Sequence, residues 1–431
     1  MLTQSLPFDP ENPEAALRQL PSQKAVFALH GEAQGAEPYV GVTPDLRRRL
    51  ERLLRPAKGQ TKRLQLVSRV RRIAWQVTGS EFESLLVQFS LLEQYYGSKA
   101  LERMKLRPPS FVKFHGGNPY PRLTITNRPG LRESQWAFGP FPSRTSAERY
   151  SEELLKLFLL RRCEENLDPN PSHPGCVYSE MKMCLAPCYQ GCTDERYAEE
   201  AEAVRGFLAT HGETRLTQIR SLRDQASEQL EFESAAKLHA QLEKIEAVRS
   251  LASDLVRPLS ALQACILQNS ANPDEVSVFL YKGGEVRGPA AFSTLGMRIQ
   301  NEQSGSSSLF AQPLAVQPVP EADSPAASKA ARDVLESRME AALESLLKRR
   351  PVPNSTVRQG HLALLTRLYY RPQHKRAGEV FFPEGEQRWP LRTMLRGVGR
   401  VAAAALPKAA ITGTISGSQH PPAATLEVSG N

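Results

Sequence analysis

Five of the six cysteines in this chain lie in one short stretch, from Cys163 to Cys192. A chain of 431 residues stabilises its fold by burying apolar side chains, and six cysteines are too few to act as a disulfide scaffold. Thiols at this density instead indicate a metal site or an iron–sulfur cluster. The fold around this stretch must therefore bring several sulfur atoms close together.

The spacing within the stretch indicates which thiols act together. Cys184 and Cys188 are one helical turn or one tight loop apart, and Pro187 between them favours the loop. Two more cysteines would fold back from the end of a preceding helix, which makes a predicted ligand set of Cys163, Cys176, Cys184 and Cys188. Four thiolates suit a [4Fe–4S] cluster and a structural zinc ion about equally. Buried thiols that hold no ligand are the remaining alternative.

The chain is basic, with a formal net charge of +9 and a sequence pI near 9.3. Such a charge favours a polyanionic partner, although it also fits a membrane surface. No stretch approaches the roughly 18 apolar residues of a membrane span, and the N-terminus has no basic-then-apolar signal segment. We therefore expect a cytoplasmic protein that does not span a membrane.

Alternating apolar residues and turn residues predict a small mixed-sheet domain near the N-terminus. Residues 24–29 and 38–42 read as a hairpin, and residues 73–78 read as a third strand. Between them, Asp45 is placed to cap a helix that carries leucines on one face. A second helix over residues 80–96 begins with Ser80 followed by Glu83, the pattern of a capping box.

A long helical region and a weaker C-terminal part follow. Residues 214–251 are nearly all helical, and one apolar stripe runs through their second half. Residues 276–281 and 285–287 resemble a hairpin joined by Lys282-Gly283-Gly284. The composition of residues 303–330 is typical of a low-complexity linker.

A basic run extends from Arg47 to Arg72, with eleven lysines and arginines and the single acid Glu51. Like charges at helical spacing repel one another, so folding does not explain this concentration. Binding to the phosphate groups of a nucleic acid explains the concentration, because neutralising those phosphates releases counterions. The predicted DNA contacts are Arg47, Arg48, Arg49, Arg52, Arg55, Lys62 and Arg63; a solvated basic face is the alternative.

Three motifs, in this order, resemble the UvrC family, the nuclease subunit of bacterial nucleotide-excision repair. The family's GIY-YIG opening is similar to AVFALHG…PYVGVTPDLRRRL. Its Gly-Pro-Phe/Tyr segment and iron–sulfur cysteines are similar to WAFGPFPSRTSAERYSEELLKLFLLRRC followed by CLAPC. Its UVR motif, a helical hairpin that pairs with the helicase subunit UvrB, resembles QLEFESAAKLHAQLEKIEAV. The resemblance covers about residues 21–252, and residues 260–292 and 360–400 match the family more faintly.

The resemblance implies a nuclease site with several substitutions. GIY-YIG chemistry uses tyrosine hydroxyls and a lysine near the attacking water, an arginine at the phosphate, and a glutamate that holds a divalent metal. Tyr39 and Arg49 retain two of these positions, whereas the others fall on Phe27, Val42 and Gln88. A phenylalanine has no hydroxyl, and a neutral amide binds Mg²⁺ far more weakly than a carboxylate does. Magnesium is therefore expected only if the nuclease is active.

The family's second nuclease domain is RNase H-like and needs aspartates around metal, as the resemblance implies. This chain has no aspartate after Asp333. We therefore expect that domain to be absent.

Phe232 interrupts the apolar stripe at the bend between two helices, with acids on both sides. It is either a core residue that closes the helical hairpin or an exposed aromatic anchor for UvrB. The predicted partner-binding residue is Phe232.

We expect an α+β fold made of successive modules. The predicted modules are a leader (1–20), a degenerate GIY-YIG-like domain (21–105), a connector with the cysteines (106–200), a UVR-like helical hairpin (201–252), a remnant of the family's later region (253–302 and 331–402), the low-complexity linker (303–330) and a disordered tail (403–431).

Three functions fit these modules. The first is a UvrC-like repair protein that binds DNA and UvrB after losing its nuclease activity. The second is an active excinuclease subunit that makes the 3′ incision through a modified site, with Glu81 or Glu83 holding the metal. The third is a zinc-containing interaction module unrelated to repair.

Overall fold

The computed structural model describes residues 2–32, 36–55, 66–130, 134–295, 297, 325–348, 353–372, 375–385 and 388–405. Over these residues the fold is α+β, as predicted, and contains three four-stranded antiparallel sheets flanked by helices. No helix in these ranges combines the length and the apolar character needed to cross a membrane.

The first sheet has the order β1-β4-β2-β3, and the predicted hairpin and third strand form its centre. Strands β2 and β3 pair so that Phe27 lies opposite Gly41 and Leu29 lies opposite Tyr39. The elements of this domain are β1 (Gln4–Pro7), α1 (Pro13–Leu17), β2 (Ala25–His30), β3 (Tyr39–Thr43), α2 (Leu46–Leu54), α3 (Leu66–Arg69), β4 (Arg72–Val77), α4 (Glu81–Tyr96) and α5 (Lys99–Arg103).

The first twenty residues are not a loose leader, which corrects the prediction for residues 1–20. Strand β1 pairs with β4 and forms an edge of the sheet, with Leu6 opposite Ile73. Phe8 and Leu17 are buried in the same core as the first sheet. The segment is ordered because its apolar side chains cover a sheet face that would otherwise meet water.

The two main helices of this domain pack on opposite faces of the sheet. Helix α2 begins after Asp45, whose carboxylate accepts a hydrogen bond from the Arg48 N–H, and it buries its leucines against the face that carries Phe27. Helix α4 begins after Ser80, whose hydroxyl accepts from the Glu83 N–H. Its buried side chains belong to a second core, which also contacts Val40.

The middle domain builds the second sheet, in the order β6-β5-β7-β8, on a core shared with the following helices. Gly139 lets strand β7 approach β5, because a Cβ atom there would lie 2.6 Å from the Phe111 ring. The elements are β5 (Ser110–Phe114), β6 (Leu123–Thr126), β7 (Ala137–Phe141), α6 (Arg144–Leu154), α7 (Val177–Glu180), α8 (Asp194–Ala209), α9 (Glu213–Glu228), α10 (Phe232–Ser250) and β8 (Arg257–Pro258).

Helices α9 and α10 form the predicted helical hairpin. Leu216 and Ile219 of α9 and Leu242, Ile245 and Val248 of α10 are buried in the middle-domain core. Leu230, in the turn between the helices, has a positive φ of 63°. The base of the hairpin is thus anchored in the middle domain, whereas its turn projects from it.

The third sheet has the order β11-β10-β9-β12, and the predicted Gly283-Gly284 turn joins β10 to β11. Both glycines have positive φ values, as a tight hairpin turn requires. The elements are β9 (Gln263–Asn269), β10 (Glu275–Lys282), β11 (Glu285–Ser293), α11 (Pro325–Leu347), α12 (Ser355–Tyr369), β12 (Glu379–Phe381) and α13 (Leu391–Ala405).

Two predicted boundaries in this part are corrected. Helix α11 begins at Pro325, inside the predicted linker 303–330, and buries Met339 and Leu343 against the third sheet. Helix α13 continues to Ala405, inside the predicted tail 403–431. Apolar residues at helical spacing explain both. The rest of the linker and of the tail lies outside the described residues.

A common core joins the first domain to the C-terminal part. Phe82, Leu86 and Phe89 of α4 pack with Leu362 and Leu365 of α12. Gly360 allows the close approach, because a Cβ atom there would lie 2.0 Å from the Phe89 ring. The outer face of α4 is therefore covered by the C-terminal part of the chain.

His361 makes the stability of this core depend on pH. Its Nδ1 atom accepts a hydrogen bond from the Val286 N–H at 2.9 Å, and burial lowers the pKa of the imidazole to about 4. In the unfolded chain the pKa is about 6.5, so below that pH the unfolded state binds the extra proton. Stability is complete above about pH 6.5 and is lost as the pH falls towards 4.

We expect urea unfolding of the wild type to give a free energy about 2–3 kcal/mol lower at pH 4.5 than at pH 7, from this group alone. His361→Gln, which keeps a hydrogen-bond acceptor, should show a correspondingly smaller pH dependence. Equal pH dependence in the two proteins would refute the role of His361.

Candidate functional sites

The tyrosine and phenylalanine positions of the predicted nuclease site are neighbours. The rings of Phe27 and Tyr39 have centroids 6.1 Å apart. Phe27 is fully buried beneath β3, whereas Tyr39 is 40% exposed at the start of that strand. Residue 27 is thus a packing residue with no hydroxyl, and Tyr39 alone of this pair offers a phenol to solvent.

Two of the other predicted catalytic positions, Val42 and Gln88, lie on the sheet face opposite to that of Tyr39. Arg49 lies on α2, the helix that covers the sheet face carrying Phe27 and Tyr39. Val42 belongs to the opposite face, because successive side chains of a strand alternate. Gln88 lies on α4, which packs on that opposite face. The structure therefore divides the five positions between two faces of the sheet.

The two acids that could replace the missing metal ligand have structural roles. Glu81 forms a two-point ion pair with Arg371 of the C-terminal part, at 2.8 and 2.6 Å, and this pairing lowers the pKa of its carboxyl. The Glu83 carboxylate accepts a hydrogen bond from the Gly79 N–H at 2.9 Å, and burial raises the pKa of this carboxyl. Both carboxylates are thus already used to hold α4 in place.

The predicted DNA-binding arginines fall into two groups. Arg47 donates to the main-chain oxygen of Leu20 at 2.7 Å, and Arg55 forms a two-point ion pair with Glu14 of α1. These two therefore fasten the N-terminal segment to α2. Arg48 and Arg52 have exposed side chains, and Arg49 is half-buried between them. Lys62 and Arg63 lie outside the described residues.

The structure places the four predicted ligand cysteines near one another. Burial raises the pKa of the Cys184 thiol, and the nearby Cys163, Cys176 and Cys188 raise it further. Burial also raises the pKa of the Cys188 thiol, with added contributions from Cys176 and Cys163. These contributions indicate that the four thiols lie in one region of the protein.

The thiols are not grouped as a ready ion-binding set. Within the described ranges, no three histidine, cysteine or acid side chains are arranged so that they could hold a metal ion. This finding is compatible with the pKa shifts, because charge repulsion acts over longer distances than a metal–sulfur bond. The ligand set stays a prediction.

The remaining cysteines differ from this group. Burial raises the pKa of the Cys192 thiol, and Cys188 adds to the effect. Cys265 is fully buried in β9, as expected for a small apolar residue.

A buried arginine that the sequence analysis missed stands beside the cysteines. Arg161 is only 1% exposed, and its Nη1 atom lies 3.5 Å from the Cys163 Sγ atom. Its Nη2 atom is buried without a hydrogen-bond partner. A buried cation with an unpaired donor fits a site that carries negative charge, so the chemistry of this region suits a thiolate-bound group.

The turn of the helical hairpin exposes apolar side chains. Phe232 is 68% exposed and Leu230 is 70% exposed, with Leu222 of α9 partly exposed as well. Phe232 is therefore not a core residue, which corrects the first alternative, and its contact with a partner stays a prediction.

Known families match the middle of this chain. The model of the UvrC/Cho excinuclease middle domain matches residues 111–207, which contain the second sheet and the cysteines. The model of the UvrB/uvrC motif matches residues 213–248, the helical hairpin. Residues 111–248 thus carry the middle domain and the helical motif of UvrC-type proteins. These two matches confirm the resemblance over the region where its motifs are most specific.

Curated relatives support the same assignment. The UvrABC system protein C of Shigella dysenteriae serotype 1 is 31% identical over 236 residues, which are 54% of this chain and 40% of the relative. The protein of the same name from Escherichia coli O1:K1 / APEC is also 31% identical over 236 residues, 38% of its length. The chain thus spans about 40% of the length of the UvrC relatives that it matches. No solved structure matches it.

Proposed function

We propose that this UvrC-family protein binds DNA and a UvrB-type helicase subunit in nucleotide-excision repair, and that it has lost nuclease activity. The observation that carries the proposal is the neutral Gln88 at the expected metal-ligand position, with the carboxylates of Glu81 and Glu83 already engaged, while the helical hairpin and the exposed arginines of α2 are kept. Such a protein would assist or compete with an active nuclease subunit.

The loss of cutting follows from the chemistry of the site. A divalent metal needs anionic oxygen ligands to stabilise the phosphate that is attacked. Gln88 offers a neutral amide, and the nearby acids Glu81 and Glu83 are engaged by Arg371 and by the Gly79 N–H. A metal bound there would have to break one of these contacts.

DNA binding rests on the exposed arginines of α2. Replacing both Arg48 and Arg52 with alanine should lower the slope of log K against log salt concentration by about 2, because each lost phosphate contact removes about one released counterion. Fluorescence anisotropy with a labelled duplex at several salt concentrations measures this slope.

Arg55→Ala is the matched control, since its guanidinium is already paired with Glu14. It should leave the slope nearly unchanged. An equal change for Arg55→Ala and for the double variant would contradict a specific role for Arg48 and Arg52.

We further propose that the four cysteines hold a [4Fe–4S] cluster, with zinc as the alternative. The soft thiolate donors of Cys163, Cys176, Cys184 and Cys188 suit either group, and the unpaired Arg161 Nη2 atom favours a site of net negative charge. The group would fix the loop between α6 and α8, and so hold the hairpin against the second sheet. Anaerobic purification distinguishes the cluster from zinc. A brown protein that absorbs near 400 nm contains the cluster, whereas a colourless protein that contains zinc supports the alternative.

The second candidate function is an active 3′ incision. It is favoured by one observation: Tyr39 is 40% exposed, on the sheet face that α2, the helix of Arg49, covers. That activity would require a metal ligand other than Gln88.

A further inference from the structure

The C-terminal part of the chain carries a second concentration of basic residues. Residues 353–405 contain nine lysines and arginines but only three acids. Four of these cations occur from Arg367 to Arg376, at the end of α12, and no acid lies among them. Like charges close together repel one another, so this concentration needs a cause other than folding.

Three cations from two parts of the chain surround the carboxylate of Glu81. Arg371 forms the two-point ion pair with it. Its hydrogen bonds are the main reason why the pKa of the Glu81 carboxyl is lowered, and the nearby charges of Arg367 and Lys24 lower this pKa further. Arg367 and Arg371 also line one shallow pocket with Glu81. The three cations therefore share a single anion, which Arg371 already engages.

The other two cations are left for a partner. The Arg367 side chain is exposed, and that of Lys24 is partly exposed. Neither forms an ion pair with another residue in the part of the chain that the structure describes. A polyanion that approaches this surface would meet both charges without having to break an existing contact.

This cluster adjoins the start of α2. The Leu46 N–H, at that start, donates to the main-chain oxygen of Gln23 at 3.0 Å. The Thr78 N–H donates to the main-chain oxygen of Lys24 at 3.0 Å, and the chain then enters α4. Lys24 therefore lies between the beginnings of α2 and α4, at one end of the first sheet. Arg48, in the first turn of α2, belongs to the same end.

We propose that Lys24 and Arg367 extend the DNA-binding surface of α2 onto the C-terminal part of the chain, so that one DNA backbone contacts both. This inference rests on the proposed DNA binding by α2. The phosphates of a duplex are closely spaced, so cations on neighbouring elements can neutralise successive phosphates. The C-terminal part then takes part in DNA binding and is not only a cover for α4.

A purely structural role of Arg367 gives a different expectation. This residue stands in the last turn of α12, where a cation offsets the negative end of the helix dipole. If that were its only role, Arg367→Ala would lower the melting temperature and leave DNA binding unchanged.

The experiment uses the full chain and a fluorescently labelled DNA duplex, with binding followed by anisotropy at several salt concentrations. Lys24→Ala and Arg367→Ala each remove one cation of the cluster, and Arg367→Lys keeps the charge. Arg396→Ala is the matched control for net charge. Arg396 is an exposed arginine of α13, which packs on the opposite face of the third sheet from α12. The melting temperature of every variant is measured as well.

We expect Lys24→Ala and Arg367→Ala each to lower the slope of log K against log salt concentration by about 1, because each removes one phosphate contact. Arg367→Lys should keep the wild-type slope, since the charge is retained. Arg396→Ala should also keep it, since its side chain faces away from the cluster. The losses should add to that of the double variant of Arg48 and Arg52.

The results that would overturn the inference are distinct from those that would refute DNA binding itself. If Arg367→Ala and Arg396→Ala change the slope equally, the effect is one of net charge and the cluster is no binding surface. If the double variant of Arg48 and Arg52 lowers the slope but Lys24→Ala and Arg367→Ala do not, α2 binds DNA without the C-terminal part. If the wild type binds no duplex, the proposed function fails together with the inference.

Discussion

Replacing Gly360 with alanine is expected to destabilise the protein by about 1–3 kcal/mol, the usual cost of overpacking a core. A Cβ atom at this position would lie 2.0 Å from the Phe89 ring, which is fully buried and packs edge-on against His361. The ring cannot move away without displacing other core side chains. The first domain and the C-terminal part should loosen together, because α4 and α12 share one core. Urea unfolding monitored by circular dichroism measures the change.

Gly206 provides the matched control. It lies inside helix α8, and a Cβ atom there would meet no heavy atom within 4 Å. Gly206→Ala should therefore stabilise the protein by up to about 1 kcal/mol, because alanine is the better helix former. If both variants shift stability in the same direction, the close contact between Gly360 and Phe89 is not as described.

Replacing Phe232 with alanine is expected to weaken binding to a UvrB-type partner by at least about 2 kcal/mol, roughly 30-fold in Kd. Exposed aromatic side chains of this kind dominate the energy of protein interfaces, and this one stands at the turn of the hairpin. The free energy of unfolding of the isolated protein should change by less than about 0.5 kcal/mol, since an exposed side chain makes few contacts that truncation would remove. Isothermal titration calorimetry with purified UvrB measures the affinity.

Val334→Ala serves as the control, because Val334 is similarly exposed on helix α11, away from the hairpin. It should leave the affinity unchanged. Wild-type affinity in Phe232→Ala would remove the hairpin turn from the proposed interface.

Local sequence patterns predicted the elements that are stabilised by local physics. The β2–β3 hairpin, the Ser80 cap of α4 and the tight turn at Gly283-Gly284 were each readable from a few neighbouring residues. The break before Phe232 was also placed correctly, because α10 begins at that residue. In each case the residue types alone restrict the backbone to one conformation.

Features that depend on distant partners were not predictable in this way. Strand β1 is ordered only because β4 offers an unpaired edge, and Arg161 is buried only because Tyr120 and Glu165 surround it. The ion pair between Glu81 and Arg371 joins residues 290 positions apart. Helix α11 was missed for a different reason, since its apolar stripe was readable but adjoined a low-complexity stretch.

The sequence predicted which residues occupy the positions of the candidate site but not how these residues are arranged in space. The resemblance named Phe27, Tyr39, Val42, Arg49 and Gln88, and strand alternation together with helix packing then assigned them to two faces. Because α12 covers α4, a metal ion at Gln88 would lie on a helix that packs against the C-terminal part of the protein.

The proposed loss of strand cutting is tested most directly by a nicking assay. The purified chain is incubated with UvrB and a damaged DNA duplex, in Mg²⁺ and separately in Mn²⁺. We expect binding without any nick above the background of the protein-free reaction, because residue 88 is a neutral glutamine and the carboxylates of Glu81 and Glu83 are already engaged. A metal-dependent nick that disappears in Arg49→Ala would show that the site still cuts DNA.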